Sequence, residues 1–156
     1  MTEFMLLVTN LFEVSLTFVL MILFVALLIY VVRGLHHAIL FLFSLGAGTV
    51  IVYLFKLFFN VPRPLGGVVF ESTSSFPSYH AAISVIFFIM LMYIFDSKLK
   101  SFGRILFNLF CIVSIFAVSL SRVYLGVHWL SDVLVGIVLG SIVSYVCIKT
   151  FNLYRK

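Results

Sequence analysis

Charge is what this sequence has least of. Only 10% of its 156 residues are Asp, Glu, Lys or Arg, against roughly 25% in a soluble domain. With 64% of the chain hydrophobic, there is too little polar surface to cover a water-soluble core. A soluble globular domain, a disordered tail and a nucleic-acid-binding module are excluded. Cysteine is scarce as well. The two present, Cys111 and Cys147, are too few for a disulfide scaffold, and each lies in an apolar run, where free cysteine behaves as a small buried hydrophobe. Two thiols without His or acidic neighbours also make a poor metal site. Carboxylates number only five, and no cluster of them could hold a divalent cation. The net charge of +5 points to loops facing the cytoplasm rather than to nucleic acid.

What the chain does have is long apolar runs. A spanning helix takes about 20 such residues, and five runs qualify. The first lies within residues 11–32 and ends at Arg33, Gly34, His36 and His37. The second covers residues 39–59. Pro62 and Pro64 stop it, and because a residue before proline avoids the helical region, the helix should end near Asn60. A polar stretch from Glu71 to Ser75 follows. The third run extends from Pro77 to Phe95, a charged loop covers residues 96–104, the fourth run covers residues 105–120, and the fifth starts between His128 and Asp132 and reaches Phe151. The expected fold is an all-α integral membrane helical bundle. It forms a single transmembrane domain over residues 1–156, with about five transmembrane helices and six possible. The first apolar run is too long for the core of a cleavable signal, and no basic segment precedes it. The first ten residues read as a helix extension or an interfacial segment.

The basic residues test this arrangement. With five spans, Arg33, Lys98, Lys100, Arg104, Lys149, Arg155 and Lys156 fall on one side. Lys56, Arg63 and Arg122 fall on the other, with the acidic Glu3, Glu13 and Glu71. Excess Lys and Arg mark the cytoplasmic side. The expectation is a multi-pass protein of the cell membrane with its amino terminus outside and its carboxyl terminus inside. His36 and His37 then sit at the inner face and read as interface residues.

The three cations on the outer side need their own explanation. They lie in or beside two loops, one between the second and third spans and one between the fourth and fifth, which must share a membrane face. His80, His128 and Asp132 belong to the same loop pair. Ionisable groups at a span end are costly and usually functional. An isolated cation there is ordinarily a headgroup anchor or a snorkelling side chain. The spacing says more: Lys56, six residues, Arg63-Pro64; then Pro77-Ser78-Tyr79-His80; then Ser121-Arg122, five residues, His128, three residues, Asp132. This resembles the type-2 phosphatidic acid phosphatase (PAP2) superfamily of membrane lipid phosphatases, whose signature reads K-x6-RP, PSGH, SR-x5-H-x3-D. Ten of the eleven fixed positions agree over residues 56–132. The departure is Tyr79, where the family pattern has glycine.

The resemblance implies a reaction and roles. Lys56, Arg63 and Arg122 would bind phosphate oxygens, Arg in a bidentate fork and Lys as a point charge. Ser78 suits a helix N-cap. Together with the Tyr79 amide it would present a helix N-terminus to the anion. The ring of Tyr79 would reshape the mouth of the pocket or narrow the substrate range. His128 would be the nucleophile, forming a phosphohistidine. Asp132 would hold its imidazole or cap the last helix; Ser131 could equally be that cap, leaving His128 just before the helix. His80 would be the general acid and then the base. No metal or other cofactor is implied, because the cations would stabilise the equatorial oxygens.

The expected function is a metal-independent membrane lipid phosphatase. It would hydrolyse a lipid phosphate monoester or pyrophosphate at the extracytoplasmic face. Twelve residues separate Pro64 from Pro77, which leaves no room for an outer domain selecting a soluble substrate. The partners are therefore a lipid phosphate substrate and the bilayer, with no nucleic acid; oligomeric state cannot be read from the sequence. Family substrates include phosphatidic acid, phosphatidylglycerol phosphate, undecaprenyl diphosphate and lipid A phosphates, and the short loops do not choose among them. The alternatives are a lipid phosphotransferase sharing the phosphohistidine, or a non-catalytic small transport or assembly protein. Finally, Gly136 and Gly140 form a GxxxG in the last span, following His128 and Asp132 at four-residue steps. Close helix contact there should set the depth of the site. Trp129 and Tyr124 fit an interfacial aromatic belt.

Overall fold

Asn60 stands in the left-handed conformation (φ 42°, ψ 46°) and caps the helix before it. Its N–H donates to Lys56 O at 3.1 Å, two residues ahead of the Pro62-Arg63-Pro64 segment that cannot continue a helix. Such local stops divide the chain into helices. The computed structural model describes residues 1–10, 12, 15–68 and 73–154. Expectations for Leu11, Glu13, Glu71, Arg155 and Lys156 lie outside these residues.

Among the described residues, six α-helices follow in order: α1 Thr2–Asn10, α2 Leu16–Arg33, α3 Leu35–Phe59, α4 Tyr79–Phe95, α5 Ser101–Tyr124 and α6 Leu130–Tyr154, with a short 3-10 turn Asp96–Lys98 after α4. Among the described residues, five are long and apolar enough to cross a membrane, α2 to α6. The sixth, α1, has nine residues; at 1.5 Å per residue it is about 14 Å long, half a bilayer core. It is a separate helix packed against α5, so it does not extend α2.

Two boundaries differ from the hydropathy reading. Only Gly34 (φ 86°) separates α2 from α3, so His36 and His37 belong to the first turn of α3. His37 is buried, 4% exposed. Its ring packs on Phe151 at 5.2 Å, and its Nδ1 lies 3.0 Å from Arg33 O. The charged stretch after α4 is also shorter than expected, because Gly103 and Arg104 are already inside α5.

The central element is α4, which packs on α3, α5 and α6. Its apolar residues point inward on nearly every side; Ala81, Ala82, Ile83, Val85, Ile86, Phe87 and Met90 are all buried. A helix apolar all round belongs in the middle of a bundle. The outer helices leave Leu, Val, Ile and Phe exposed along their lengths, as a lipid-facing surface does. Cys111 and Cys147 are free and buried.

Residues of α6 pack tightly on α4 because of its glycines. A Cβ at Gly136 would come within 2.7 Å of Ser78 O, and one at Gly140 within 2.6 Å of Ala82 O. The GxxxG therefore does set a close contact, and it lies against the start of α4. Replacing Gly136 by Ala should destabilise the protein by about 1–3 kcal/mol through overpacking. Gly103→Ala, with nothing within 4 Å of the new methyl, should be neutral or mildly stabilising. Thermal unfolding of both variants in one detergent tests the contrast. Equal melting temperatures for Gly136→Ala and the parent chain would contradict the contact.

Candidate active site at the ends of four helices

Four helix ends meet at one end of the bundle. Lys56 stands in the last turn of α3, Arg122 in the last turn of α5, and Asp132 in the first turn of α6. Each charge is at the end of its own helix where the macrodipole favours it, cation at the C-terminus and carboxylate at the N-terminus. Ser78 caps α4, its Oγ accepting from Ala81 N at 3.5 Å, and its N–H donates to Asp132 O at 3.0 Å. The start of α4 is thus tied to the start of α6. That bond places the amide end of one helix against the carboxylate-bearing turn of the other.

His128 lies just before α6, not on it. Trp129 occupies the cap position: its O accepts from Asp132 N at 3.1 Å, and its N–H donates to Asp132 Oδ2 at 2.9 Å. This is the acidic half of a capping box. The same Oδ2 lies 3.5 Å from His128 Nδ1. Asp132 therefore both caps the helix and faces the imidazole; the two readings of this residue are not alternatives, and Ser131 is not the cap. On the other side of the ring, Arg63 Nη1 lies 3.3 Å from His128 Nε2. A guanidinium only donates, so Nε2 is the unprotonated nitrogen and Nδ1 carries the proton toward Asp132. The imidazole is held as the tautomer with a lone pair on Nε2.

Arg63 is fixed by main-chain oxygens. It donates from Nε to Thr73 O at 2.8 Å and from Nη1 to Val127 O at 2.8 Å. Its Nη2 donates to Thr73 Oγ1 at 3.2 Å and to Ser74 O at 3.4 Å. Lys56 donates to Ser74 O as well. Ser75 is fully buried; its N–H donates to Val61 O at 2.9 Å, and its hydroxyl reaches Pro62 O at 3.1 Å. Thr73, Ser74 and Ser75 are the residues that motif spacing did not single out. The signal was present as a run of hydroxyl residues between two proline stops, but it read only as a polar stretch. Trp129 closes the loop cluster from outside: its ring is half exposed, and Nε1 donates to Pro62 O at 3.1 Å. A further close approach, between Gly67 and Gly126, where a Cβ on Gly67 would meet Gly126 O at 2.9 Å, joins the two loops.

Of the eight residues singled out by sequence, Lys56, Ser78, His80, Arg122, His128 and Asp132 are buried. Arg63 is bonded directly beside His128, and Tyr79 opens α4. Lys56, Arg63, Arg122 and His128 all lie within electrostatic reach of His80. All eight come together on one face of the bundle. Among the described residues, no three His, Cys, Asp or Glu side chains converge.

Among the described residues, the cations Lys56, Arg63 and Arg122 share the cluster with the carboxylate of Asp132. Burial holds the His128 imidazole below its ordinary value; the hydrogen bond to Asp132 pulls it up, and Arg63, Arg122 and Lys56 press it further down. An arrangement of this kind can accept an anion with two or more negative oxygens, with an unprotonated ring nitrogen at its edge.

Comparison with known proteins places this geometry. The PAP2 superfamily model matches residues 37–156. Phosphatidylglycerophosphatase B of Bacillus subtilis (strain 168) is 29% identical over 123 residues, covering 77% of this chain and 60% of that protein. The match thus spans less than two thirds of that relative's length. The crystal structure of the first transmembrane PAP2 type phosphatidylglycerolphosphate phosphatase from Bacillus subtilis superimposes with a TM-score of 0.87 at 28% identity, covering 99% of this chain and 78% of that one. Aquifex aeolicus LpxE shares the fold, with a TM-score of 0.72 at 23% identity over 95% of this chain and 85% of that one.

The lowered His128 value has a measurable consequence. In NMR spectra of histidine-labelled protein, with the resonance assigned by its loss in His128→Gln, the ring should titrate below about 6.5. Arg63→Gln should raise the midpoint by removing a positive neighbour, and Asp132→Asn should lower it. Because the native state binds the proton less readily than the unfolded chain, the stabilisation from this group is complete above about 6.5 and is lost as pH falls through the lowered native value. A midpoint above 6.5 in the unliganded protein would contradict the assignment.

Proposed function

The chain belongs to the PAP2 superfamily, and we propose that it acts there as a membrane lipid phosphatase working through a phosphohistidine. The observation that carries this reading is the clamped imidazole of His128: Nδ1 faces Asp132 and Nε2 faces Arg63. A phosphate monoester entering the cup takes over the guanidinium of Arg63 and the charges of Lys56 and Arg122. Phosphate binding by Arg63 turns that guanidinium from His128 Nε2 to a phosphate oxygen, which frees the lone pair beside phosphorus. The amide of Tyr79, at the open start of α4, adds a donor from the helix N-terminus.

The Nε2 lone pair attacks phosphorus in line with the departing ester oxygen, and the N–P bond forms as the P–O bond breaks. His80, protonated, gives its proton to the leaving alkoxide, or to the leaving phosphate of a pyrophosphate. The phosphoryl group now sits on His128, whose cationic ring is stabilised by Asp132. Neutral His80 then takes a proton from water as the water oxygen attacks phosphorus, and the N–P bond breaks. Inorganic phosphate leaves, with His128 neutral and His80 protonated again. The cations stabilise the equatorial oxygens in both steps. No divalent metal enters either one.

The substrate class follows from position. The cup lies at a bundle end among short loops, and the bundle's outer surface is apolar, so a lipid reaches it from within the membrane. Phosphatidylglycerol phosphate is the first candidate, because the relatives matched at 28–29% identity are named for it. The excess of Arg and Lys at the opposite end, Arg33, Lys98, Lys100, Arg104 and Lys149, supports an extracytoplasmic site.

Purified protein should release phosphate from phosphatidylglycerol phosphate, or from another member of a lipid phosphate panel, without loss on addition of a chelator. His128→Ala should lower turnover by about 10³-fold or more, as loss of a covalent nucleophile does. Rapid acid-free quenching should trap an acid-labile phosphoryl group on the parent chain and none on His128→Ala. Strict dependence on added magnesium, or full activity in His128→Ala, would overturn the proposal. Transfer of the phosphoryl group to an added alcohol in preference to water would replace hydrolysis by phosphotransfer.

A further inference from the structure

His80 is held in an unusual way. Its side chain is buried, 7% exposed. Neither ring nitrogen has a hydrogen-bond partner among the described residues. His128, by contrast, has Arg63 Nη1 within hydrogen-bond distance of Nε2 and the Asp132 carboxylate facing Nδ1 at 3.5 Å, too long for a good hydrogen bond. A histidine with no hydrogen bond on either side keeps its ring orientation only through packing. The aromatic ring that meets it is that of Tyr79, nearly perpendicular at 86° with centroids 5.9 Å apart.

The Tyr79 ring is itself fixed from α3. Its centroid is 6.2 Å from that of Tyr53, at 62°, and its hydroxyl lies 3.5 Å from Thr49 Oγ1. Thr49 and Tyr53 are four residues apart on α3 and so share a face. At 3.5 Å the hydroxyl contact is weak, so the ring faces hold the tyrosine in place. The side chain therefore fills the seam between α3 and α4 at the level of His80, while its amide remains at the open helix start.

We propose that the Tyr79 side chain is the positioning residue for His80, an aromatic wall that aims the proton-donating imidazole where a hydrogen-bonding partner is missing. This rests on the reading of His80 as the proton donor. Leaving both nitrogens unbonded keeps one free to donate to the leaving oxygen and then to accept from water, with no competing partner to displace in either step. The ring wall supplies orientation without that competition. A glycine at position 79 would empty the seam and let the imidazole turn.

Leaving-group dependence separates this role from a merely structural one. An alkoxide needs a proton as it departs, and an aryloxide barely does, so loss of the aimed acid slows transfer to His128 only from the first; kcat/KM reads that step and excludes the later attack of water, in which His80 also serves. The test compares an alkyl and an aryl phosphate carrying the same acyl tail, with the parent chain, Tyr79→Phe, Tyr79→Leu, Tyr79→Gly and His80→Ala. Tyr79→Phe keeps the ring and should leave the alkyl-to-aryl ratio of kcat/KM within about twofold of the parent's. Tyr79→Gly should lower that ratio by about tenfold or more, a part of the 10²–10⁴-fold that general acids contribute. Tyr79→Leu fills the seam without a flat ring and should show the same pattern, which keeps the test decisive if the glycine variant does not fold. Equal losses on both esters, or no loss on either, in Gly and Leu variants would overturn the inference. His80→Ala is the check on the premise: if it lowers kcat/KM on both esters equally, the assignment of His80 as acid fails and this inference falls with it. If His80→Ala discriminates and the Tyr79 variants do not, only the positioning role fails.

Discussion

Gathering Lys56, Arg63 and Arg122 with Asp132 at the end of an apolar bundle, all but Arg63 buried, is the constraint from which the rest of this structure follows. Charge away from water is expensive, and among the described residues two features offset it. Three of the groups stand at the end of the helix whose macrodipole suits them, Lys56 and Arg122 at C-termini and Asp132 at an N-terminus. Lys56 and Arg63 also donate to main-chain oxygens of Thr73, Ser74 and Val127, which compensates part of the desolvation.

The same constraint explains why α4 and α6 approach so closely. The cup needs the start of α4 beside the start of α6, where Ser78 N–H meets Asp132 O at 3.0 Å. Side chains at positions 136 and 140 would push the helices apart before that bond formed. The glycines thus act on the site through helix spacing. The small Ala81 and Ala82 face them from α4, so the seam is narrow on both sides.

Much of this was legible in the sequence, and the unread part has a physical cause. Five spans, their order, the helix stop at Asn60 and the shared face of two loops come from hydropathy and proline placement, because lipid makes those signals strong. The gathering of His80, His128 and Asp132 with the three cations follows from motif spacing and the parity of spans. The dual task of Asp132 was not resolved, because a four-residue step fits both a helix face and a cap followed by a turn. The clamp on Arg63 and Lys56 was not read at all. It is built from carbonyl oxygens of Thr73 and Ser74, and every residue type carries such an oxygen.

The two histidines differ in a way that reaches back to their elements. His128 stands in a loop just before a helix, where neighbouring chain segments supply a carboxylate and a guanidinium to both sides of its ring. His80 stands one residue inside α4, in the most buried helix of the bundle, with the cations Lys56 and Arg122 of α3 and α5 near it but no hydrogen-bond partner on its ring among the described residues. A nucleophile must attack along one line, and directional hydrogen bonds define that line. A group that gives a proton and later takes one benefits from unengaged nitrogens, and non-directional packing can hold such a ring while leaving them open. The difference in how the two imidazoles are held is therefore a consequence of where each sits in the fold, and on the proposed mechanism it suits an attacking nitrogen in His128 and a proton-transferring ring in His80.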